Sequence, residues 1–316
     1  MSSISQGNRG ASGHGLLTDA ALAALILIWA ANFSVAKFAL SDFAPLSFNG
    51  LRFLLASVVM FFFMRASGRK LPRFDRRHWP LLVALGVLGH IIYQVLFIFG
   101  LDWTLAGNAS LMLAMSPVFI AVLSVAARQE RVGRIAAAGV LVSFVGVALV
   151  VLGGARAVRF GASTVRGDLM VLAAAGGWAS YTVGSAPLVR RYGSLPVTAV
   201  TMWIGGLGLV SISIPSFLAQ EWGDVRPSAW MALFYSGIFA IGVAYLLWYQ
   251  SVRRLGSTRT GVYSNLIPII AVLIAWVTLG ETPTWMQALG AVGIVAGAVL
   301  ARLGMVTRRS SGLPLE

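Results

Sequence analysis

Ten long apolar runs, separated by short polar punctuation, set the rhythm of this chain. They fall at roughly residues 20–40, 45–66, 79–100, 104–127 and 133–152, then at 167–189, 195–218, 228–252, 258–279 and 284–303. Each is close to the roughly 20 residues that a helix needs to cross a hydrocarbon core. The runs are continuous and do not alternate apolar with polar, so they predict helices and exclude a membrane β-barrel. Thr18 and Asp19, residue types that start helices, precede the first run. The Gly- and Ser-rich stretch before them predicts a disordered tail over 1–17, and the polar end predicts a second tail over 304–316.

Composition turns helices into membrane helices. Of 316 residues, 58% are hydrophobic and only 11% charged, with a mean hydropathy of +0.83. A soluble domain carries about 25% charged residues, so the partner of most of this surface is a lipid bilayer. No large extramembrane domain fits in what remains. The absence of cysteine removes disulfides, thiolate catalysis and cysteine-ligated metal.

The formal charge of +14 would suggest a nucleic-acid partner in a soluble protein. Here its distribution points instead to membrane orientation. With the N-terminus inside, 18 of the 24 cationic residues fall in cytoplasmic segments, and Arg156, Arg159, Arg166 and Arg226 fall outside. Lys37 and Arg52 lie inside spans, towards their outer ends. Snorkelling to the interface, or pairing with Asp42, is the expected fate of both. The cationic bias of inner loops places both termini in the cytoplasm of a multi-pass protein of a bacterial inner membrane.

The two halves of the chain are alike. Trp29-Ala30-Ala31-Asn32-Phe33-Ser34-Val35 recurs loosely as Trp178-Ala179-Ser180-Tyr181-Thr182-Val183, an offset of 149. Pro117-Val118-Phe119-Ile120-Ala121-Val122-Leu123 matches Pro268-Ile269-Ile270-Ala271-Val272-Leu273-Ile274 at an offset of 151. Glu130/Glu281, Gly139/Gly290 and Gly146/Gly297 share that offset. Five spans per unit is an odd number, so the second unit starts on the opposite side and is inverted. The predicted fold is therefore an all-α integral membrane protein of two inverted five-helix repeats around a central cavity. Residues 18–153 and 167–303 are the repeats, and 154–166 an outer linker. Inverted repeats are a transporter architecture, with the substrate near the midplane between them.

Several motifs then resemble those of a known family. They are Leu51-Arg52-Phe53, Ala106-Gly107-Asn108-Ala109-Ser110 leading to Pro117, Tyr263-Ser264-Asn265-Leu266-Ile267-Pro268, and Leu279-Gly280-Glu281. Over residues 18–303 the chain resembles the EamA family of the drug/metabolite transporter superfamily, most of all exporters of amino acids and related metabolites of the YddG type. The outward direction of transport is implied by this resemblance alone.

Within the spans, polar and aromatic side chains are the candidates for chemistry. His90, eleven residues into the third run, is read as a substrate hydrogen-bonder or proton site, or else as a neutral imidazole bonded to a neighbouring helix. Tyr93 and Gln94 lie one turn on. Trp178, Tyr181, Tyr245 and Tyr263 sit away from span ends and are candidate cavity lining; Trp29 and Trp248 suit an interfacial belt. Asn108 and Asn265 are costly facing lipid and should face inward, either to bind substrate or to join helices. Pro117 and Pro268 free the carbonyls of Leu113 and Ser264 and are candidate hinges or gates. Gly176/Ser180/Gly184 and Gly293/Gly297 are small-residue sets suited to close helix packing.

All ten acidic residues fall at span ends, in loops or in tails. This argues against a membrane-embedded enzyme and against a proton-coupled carrier other than one working through His90. No Walker A loop or H-E-x-x-H motif is present, so neither ATP, metal nor any other cofactor is expected. With no fixed charge read at the midplane, the expected substrate is a small zwitterion, in particular an amino acid with a hydrophobic or aromatic side chain. A nucleotide sugar is the rival, and a receptor gives no reason for an inverted repeat.

Overall fold

The computed structural model describes residues 9–68, 71–127, 133–157, 162–245, 247–248, 251 and 265–309. Their regular structure is all helical, with no strand among the described residues. The first half holds α1 (Arg9–Ala39), α2 (Pro45–Ala66), α3 (Arg76–Trp103), α4 (Ala106–Ala126) and α5 (Arg134–Ala157). The second holds α6 (Ala162–Tyr192), α7 (Ser194–Ala219), α8 (Pro227–Val243), α9 (Leu266–Leu279) and α10 (Trp285–Arg309). Among the described residues, six helices (α1–α5 and α7) are long and apolar enough to cross a membrane, and apolar segments of α8, α9 and α10 are shorter. Helix α6 is too polar to join either group. Its Arg166, Asp168 and paired glycines lower its hydropathy, which it tolerates because Asp168, Val171, Ala174, Ala175 and Ala179 are all sealed against neighbouring helices.

Apolar side chains cover the outside: Leu207, Val277 and Leu218 are 73%, 82% and 84% exposed. A surface of that kind suits lipid and not water. Inside lipid, helices associate through close packing of small residues more than through hydrophobic burial. The α5–α10 seam shows how. A Cβ on Gly146 would lie 2.7 Å from the Gly290 carbonyl, and one on Gly290 would lie 2.6 Å from the Gly146 carbonyl. Gly297 likewise meets the Gly139 carbonyl, and Gly139 the Gly297 carbonyl. The helices run antiparallel, and at these four glycines backbone touches backbone. At the offset of 151, Gly139 corresponds to Gly290 and Gly146 to Gly297, so each contact is repeated by its counterpart. Between them Ser143 Oγ donates to the Ile294 carbonyl at 3.4 Å, and these two positions correspond to each other. Gly176, expected in a similar seam, instead faces open space.

Three interruptions mark the helices near their middles. Helix α4 breaks at Ala114–Met115 and restarts at Ser116, with Pro117 in the new first turn. The Leu113 carbonyl, expected to be left free by the proline, accepts from Ser116 Oγ at 2.7 Å. The hydroxyl beside the proline supplies the missing donor. Helices α3 and α8 widen to π geometry over Val87–Ile92 and Tyr235–Val243, overlapping positions at the offset of 151. Such segments recur at functional sites.

Candidate functional site

Helix α2 carries the most unusual residue of the fold. Arg52 stands about 10 Å along the helix from Pro45 and is 2% exposed. It neither snorkels nor pairs with Asp42, contrary to the expectation from its place in the span. Its Nη2 donates to Gln94 Oε1 at 2.6 Å, and its Nη1 to Ser236 Oγ at 3.2 Å. Ser236 Oγ donates onward to Asn32 Oδ1 at 2.7 Å. Asn49 Nδ2 donates to the Gln94 backbone carbonyl at 3.1 Å. The guanidinium lies over the rings of Phe48 and Phe97, 5.5 and 5.7 Å from their centroids, and within electrostatic reach of Tyr93 and Tyr245. Contrary to the expectation that no fixed charge lies within the spans' interior, a guanidinium is sealed inside the bundle. Position alone suggested the interface; burial by α3 and α8 overrides it.

An aromatic ladder starts beside this cluster. Phe97 stacks on Tyr93 (6.0 Å), Tyr93 meets Trp178 (5.4 Å), Trp178 meets Tyr181 (5.4 Å), and Tyr181 meets His90 (5.3 Å). The structure thus brings together four sequence candidates from α3 and α6. His90 is 1% exposed, with Nε2 3.3 Å from Thr201 Oγ1 and Tyr181 OH 3.0 Å from the same hydroxyl. Gly89 and Gly205 make this possible: a Cβ on Gly89 would lie 2.5 Å from the Tyr181 ring, and one on Gly205 2.5 Å from the Gly86 carbonyl. Tyr245 packs edge-on to Trp29 (6.4 Å), whose Nε1 donates to the Ala240 carbonyl in the π segment of α8 at 2.9 Å.

Other candidates lie apart. Asn108 sits near the start of α4, at the predicted outer face, with both ends of its amide committed. Its Nδ2 donates to Asp168 Oδ2 at 3.2 Å, and its Oδ1 accepts from Gln287 Nε2 at 2.7 Å. Thr104 donates to Asp168 Oδ1. Asp168, expected at a span end, is 0% exposed: Thr104, just beyond α3, and Asn108 of α4 bond it directly, and Gln287 of α10 backs Asn108. Asn265 adjoins the start of α9 with a buried Nδ2 that has no partner among the described residues, and Pro268 is buried two residues into that helix. Tyr263 lies outside the described residues, as do Ser264 and Glu130.

Further polar contacts join helices at the predicted outer face. Lys37 Nζ donates to the Leu101 and Asp102 carbonyls, 3.0 and 2.6 Å, capping the C-terminus of α3. Glu281 accepts from the Ala106 and Gly107 amides, 2.8 and 2.9 Å, capping the N-terminus of α4. Asp42 takes a two-pronged bond from Arg226, whose guanidinium holds the Asp42 carboxyl below the usual carboxylate range.

Sequence reasoning passed over Asn49, Arg52, Ser236 and Asp168. The signal for the first two was visible: a polar pair at i, i+3 within an apolar span, where an ionisable residue is a functional-site hypothesis by default.

A helical bundle with a lipid-facing surface and a polar cluster deep inside it is the build of a multi-pass membrane transporter. The EamA-like transporter family matches the chain twice, over residues 16–152 and 165–303, and the chain belongs to that family. An uncharacterized transporter of Archaeoglobus fulgidus is 29% identical over 90% of this chain and 96% of its own. A probable terminal-alkyne amino-acid exporter of Streptantibioticus cattleyicolor is 28% identical over 93% and 96%. A probable amino-acid metabolite efflux pump of Salmonella typhimurium is 27% identical over 91% and 95%. A solved crystal structure, 23% identical, superposes with a TM-score of 0.66 over 93% of this chain and 99% of that one, and shares the fold.

Proposed function

We propose that this protein is a secondary carrier, working without ATP, that exports small zwitterionic metabolites by alternating access. Amino acids, hydrophobic and aromatic ones included, are its substrates. The observation that carries this reading is the buried polar cluster, to which both halves contribute: Asn32, Asn49, Arg52 and Gln94 from the first, Ser236 from the second. Binding sites between repeats are where carriers hold substrate.

In this reading α1–α5 and α6–α10 are ten spans in two inverted repeats, with both termini cytoplasmic. The reciprocal glycine contacts of α5 and α10 support the inversion, since two units related by an axis in the membrane plane meet through an isologous seam. The ladder from Tyr93 through Trp178 and Tyr181 to His90 offers apolar area with single polar tips for a substrate side chain. Tyr245 and Asn265 extend the wall from the second half, and Tyr263 keeps the substrate-binding role its place in the sequence suggests. The break ahead of Pro117 in α4, and Pro268 in the first turn of α9, are the proposed hinges that let the fourth helix of each unit bend as the faces exchange. The names of the exporter and efflux-pump relatives point to the same substrate class.

Proteoliposomes loaded with radiolabelled Phe, Trp, Leu, Thr and Asp, and separately with a nucleotide sugar, test it. Protein-dependent efflux of the amino acids, strongest for the hydrophobic ones, is expected. Efflux of the nucleotide sugar alone would overturn the substrate class.

A further inference from the structure

Buried polar atoms in membrane proteins find partners, because an unpaired one in a low-dielectric interior keeps its full desolvation cost. Among the described residues, five side-chain atoms are buried without one: Ser34 Oγ, Asn49 Oδ1, Arg52 Nε, Ser251 Oγ and Asn265 Nδ2. Two of these stand together. Asn49 and Arg52 are three residues apart on α2, hence neighbours on one helix face, and are 0% and 2% exposed. One is an unused acceptor and the other an unused charged donor.

The rest of each side chain is fixed by the same residue. Gln94 takes Arg52 Nη2 on its amide oxygen and Asn49 Nδ2 on its backbone carbonyl. This orientation leaves Nε–H and Oδ1 as the free atoms, so the pair is held in place by its own second contacts. No acidic side chain lies within ion-pair distance of Arg52 among the described residues. A buried cation without an anion is costly, and rings 5.5 and 5.7 Å away are poor compensation. The missing anion is the information.

We propose that Asn49 and Arg52 form the head-group site for an α-amino acid, with Arg52 taking the carboxylate and Asn49 Oδ1 accepting from the ammonium. The proposal rests on the carrier reading above and names the chemistry of its site. The cover over the pair explains how the substrate arrives. Helix α8 lies directly on it: a Cβ on Gly237 would be 3.0 Å from the Arg52 carbonyl, and Ser236 holds Nη1. When α8 leaves α2, the Ser236 bond opens and a second guanidinium N–H is freed. A carboxylate can then take a charge-assisted bond from Nε–H, while the freed Nη1–H, on a different edge of the guanidinium, no longer ties Arg52 to α8. Phe97, Tyr93 and Trp178 continue from the guanidinium as the surface for the side chain.

The test is a ligand series on the purified protein in detergent, read by tryptophan fluorescence and by thermal unfolding. L-phenylalanine, 3-phenylpropionate (no ammonium) and phenethylamine (no carboxylate) are the probes. The wild type should bind phenylalanine best and phenylpropionate next, with phenethylamine weaker by about tenfold or more, as for loss of a charge-assisted bond. Arg52→Gln should erase the preference for carboxylates, Arg52→Lys restore it in part, and Asn49→Ala weaken phenylalanine but not phenylpropionate. Phenethylamine binding as well as phenylpropionate, or Arg52→Gln keeping the preference, overturns the proposal. The wild-type series decides even if a variant does not fold. Carboxylate binding that needs Arg52, without amino-acid efflux from liposomes, would sink the carrier reading and leave the site standing. Unchanged efflux in Arg52→Gln would do the reverse.

Discussion

Asp168 and Arg52 are both charged groups sealed inside the bundle, yet their surroundings differ in kind. Each carboxylate oxygen of Asp168 accepts a side-chain bond, from Thr104 or Asn108, and Asn108 is in turn held by Gln287. Gln287 closes its own end against Thr284, whose amide donates to Gln287 Oε1 at 2.8 Å. That network joins α3, α4, α6 and α10 at the predicted outer face and leaves no atom over. The Arg52 cluster also joins helices, but it leaves a donor and an acceptor without partners. Saturated networks rigidify; an unsaturated one in a carrier is a place for a ligand. On this account the Asp168 region holds the outer face closed, and the Arg52 region waits for substrate.

The largest expected effect is on stability. Asp168→Ala orphans the Thr104 hydroxyl and the Asn108 amide in a dry interior. It should cost about 2–4 kcal/mol, seen as a lower unfolding temperature in detergent, with Asp168→Asn recovering part. A change at Asp168 that leaves unfolding untouched would break the comparison from the structural side.

Next comes Gln94→Leu, which removes the residue that orients both Asn49 and Arg52. Amino-acid efflux should fall by about tenfold or more, the scale of one buried charge-assisted bond. Efflux at the wild-type rate would mean the pair needs no positioning.

Glu281→Ala should have a smaller effect. It strips the cap from the first two amides of α4, worth about 1 kcal/mol, and loosens the outer face. Cysteines introduced near residue 107 should then label faster from outside, in a chain that has no cysteine of its own.

Smallest of all is the response of the Asp42–Arg226 pair to pH. Because Arg226 lowers the Asp42 carboxyl in the folded state, the pair's contribution is complete above about pH 4, the ordinary aspartate value. It is lost only as pH falls further. Labelling of the outer face should therefore not change between about pH 5 and 8 on account of this pair. A change abolished by Asp42→Asn would contradict that assignment.

Much of the helical layout was legible because apolar runs of membrane length have few alternatives. The break in α4 was legible from Pro117, and the α5–α10 glycines from their spacing. What sequence position could not convey was which groups meet across helices. Arg52 and Lys37 both lie near the outer ends of spans and were read alike, yet Lys37 caps α3 while Arg52 is roofed by α8. Asp168 was read as a span-end acid, but three other helices close over that end. The Leu113 carbonyl was expected to be left free by Pro117, although Ser116, one residue before the proline, could meet it. Each error is a contact between residues far apart in the chain, or a side chain answering its own backbone.

The division of labour between the two clusters is tested most directly by measuring unfolding temperature and phenylalanine efflux on the same preparations of wild type, Asp168→Asn and Arg52→Gln. The account predicts that Asp168→Asn melts earlier but transports at near the wild-type rate per folded molecule. Arg52→Gln should melt close to wild type and lose efflux. An Arg52→Gln protein that transports normally, or an Asp168→Asn protein that melts like wild type and has lost efflux, would contradict it.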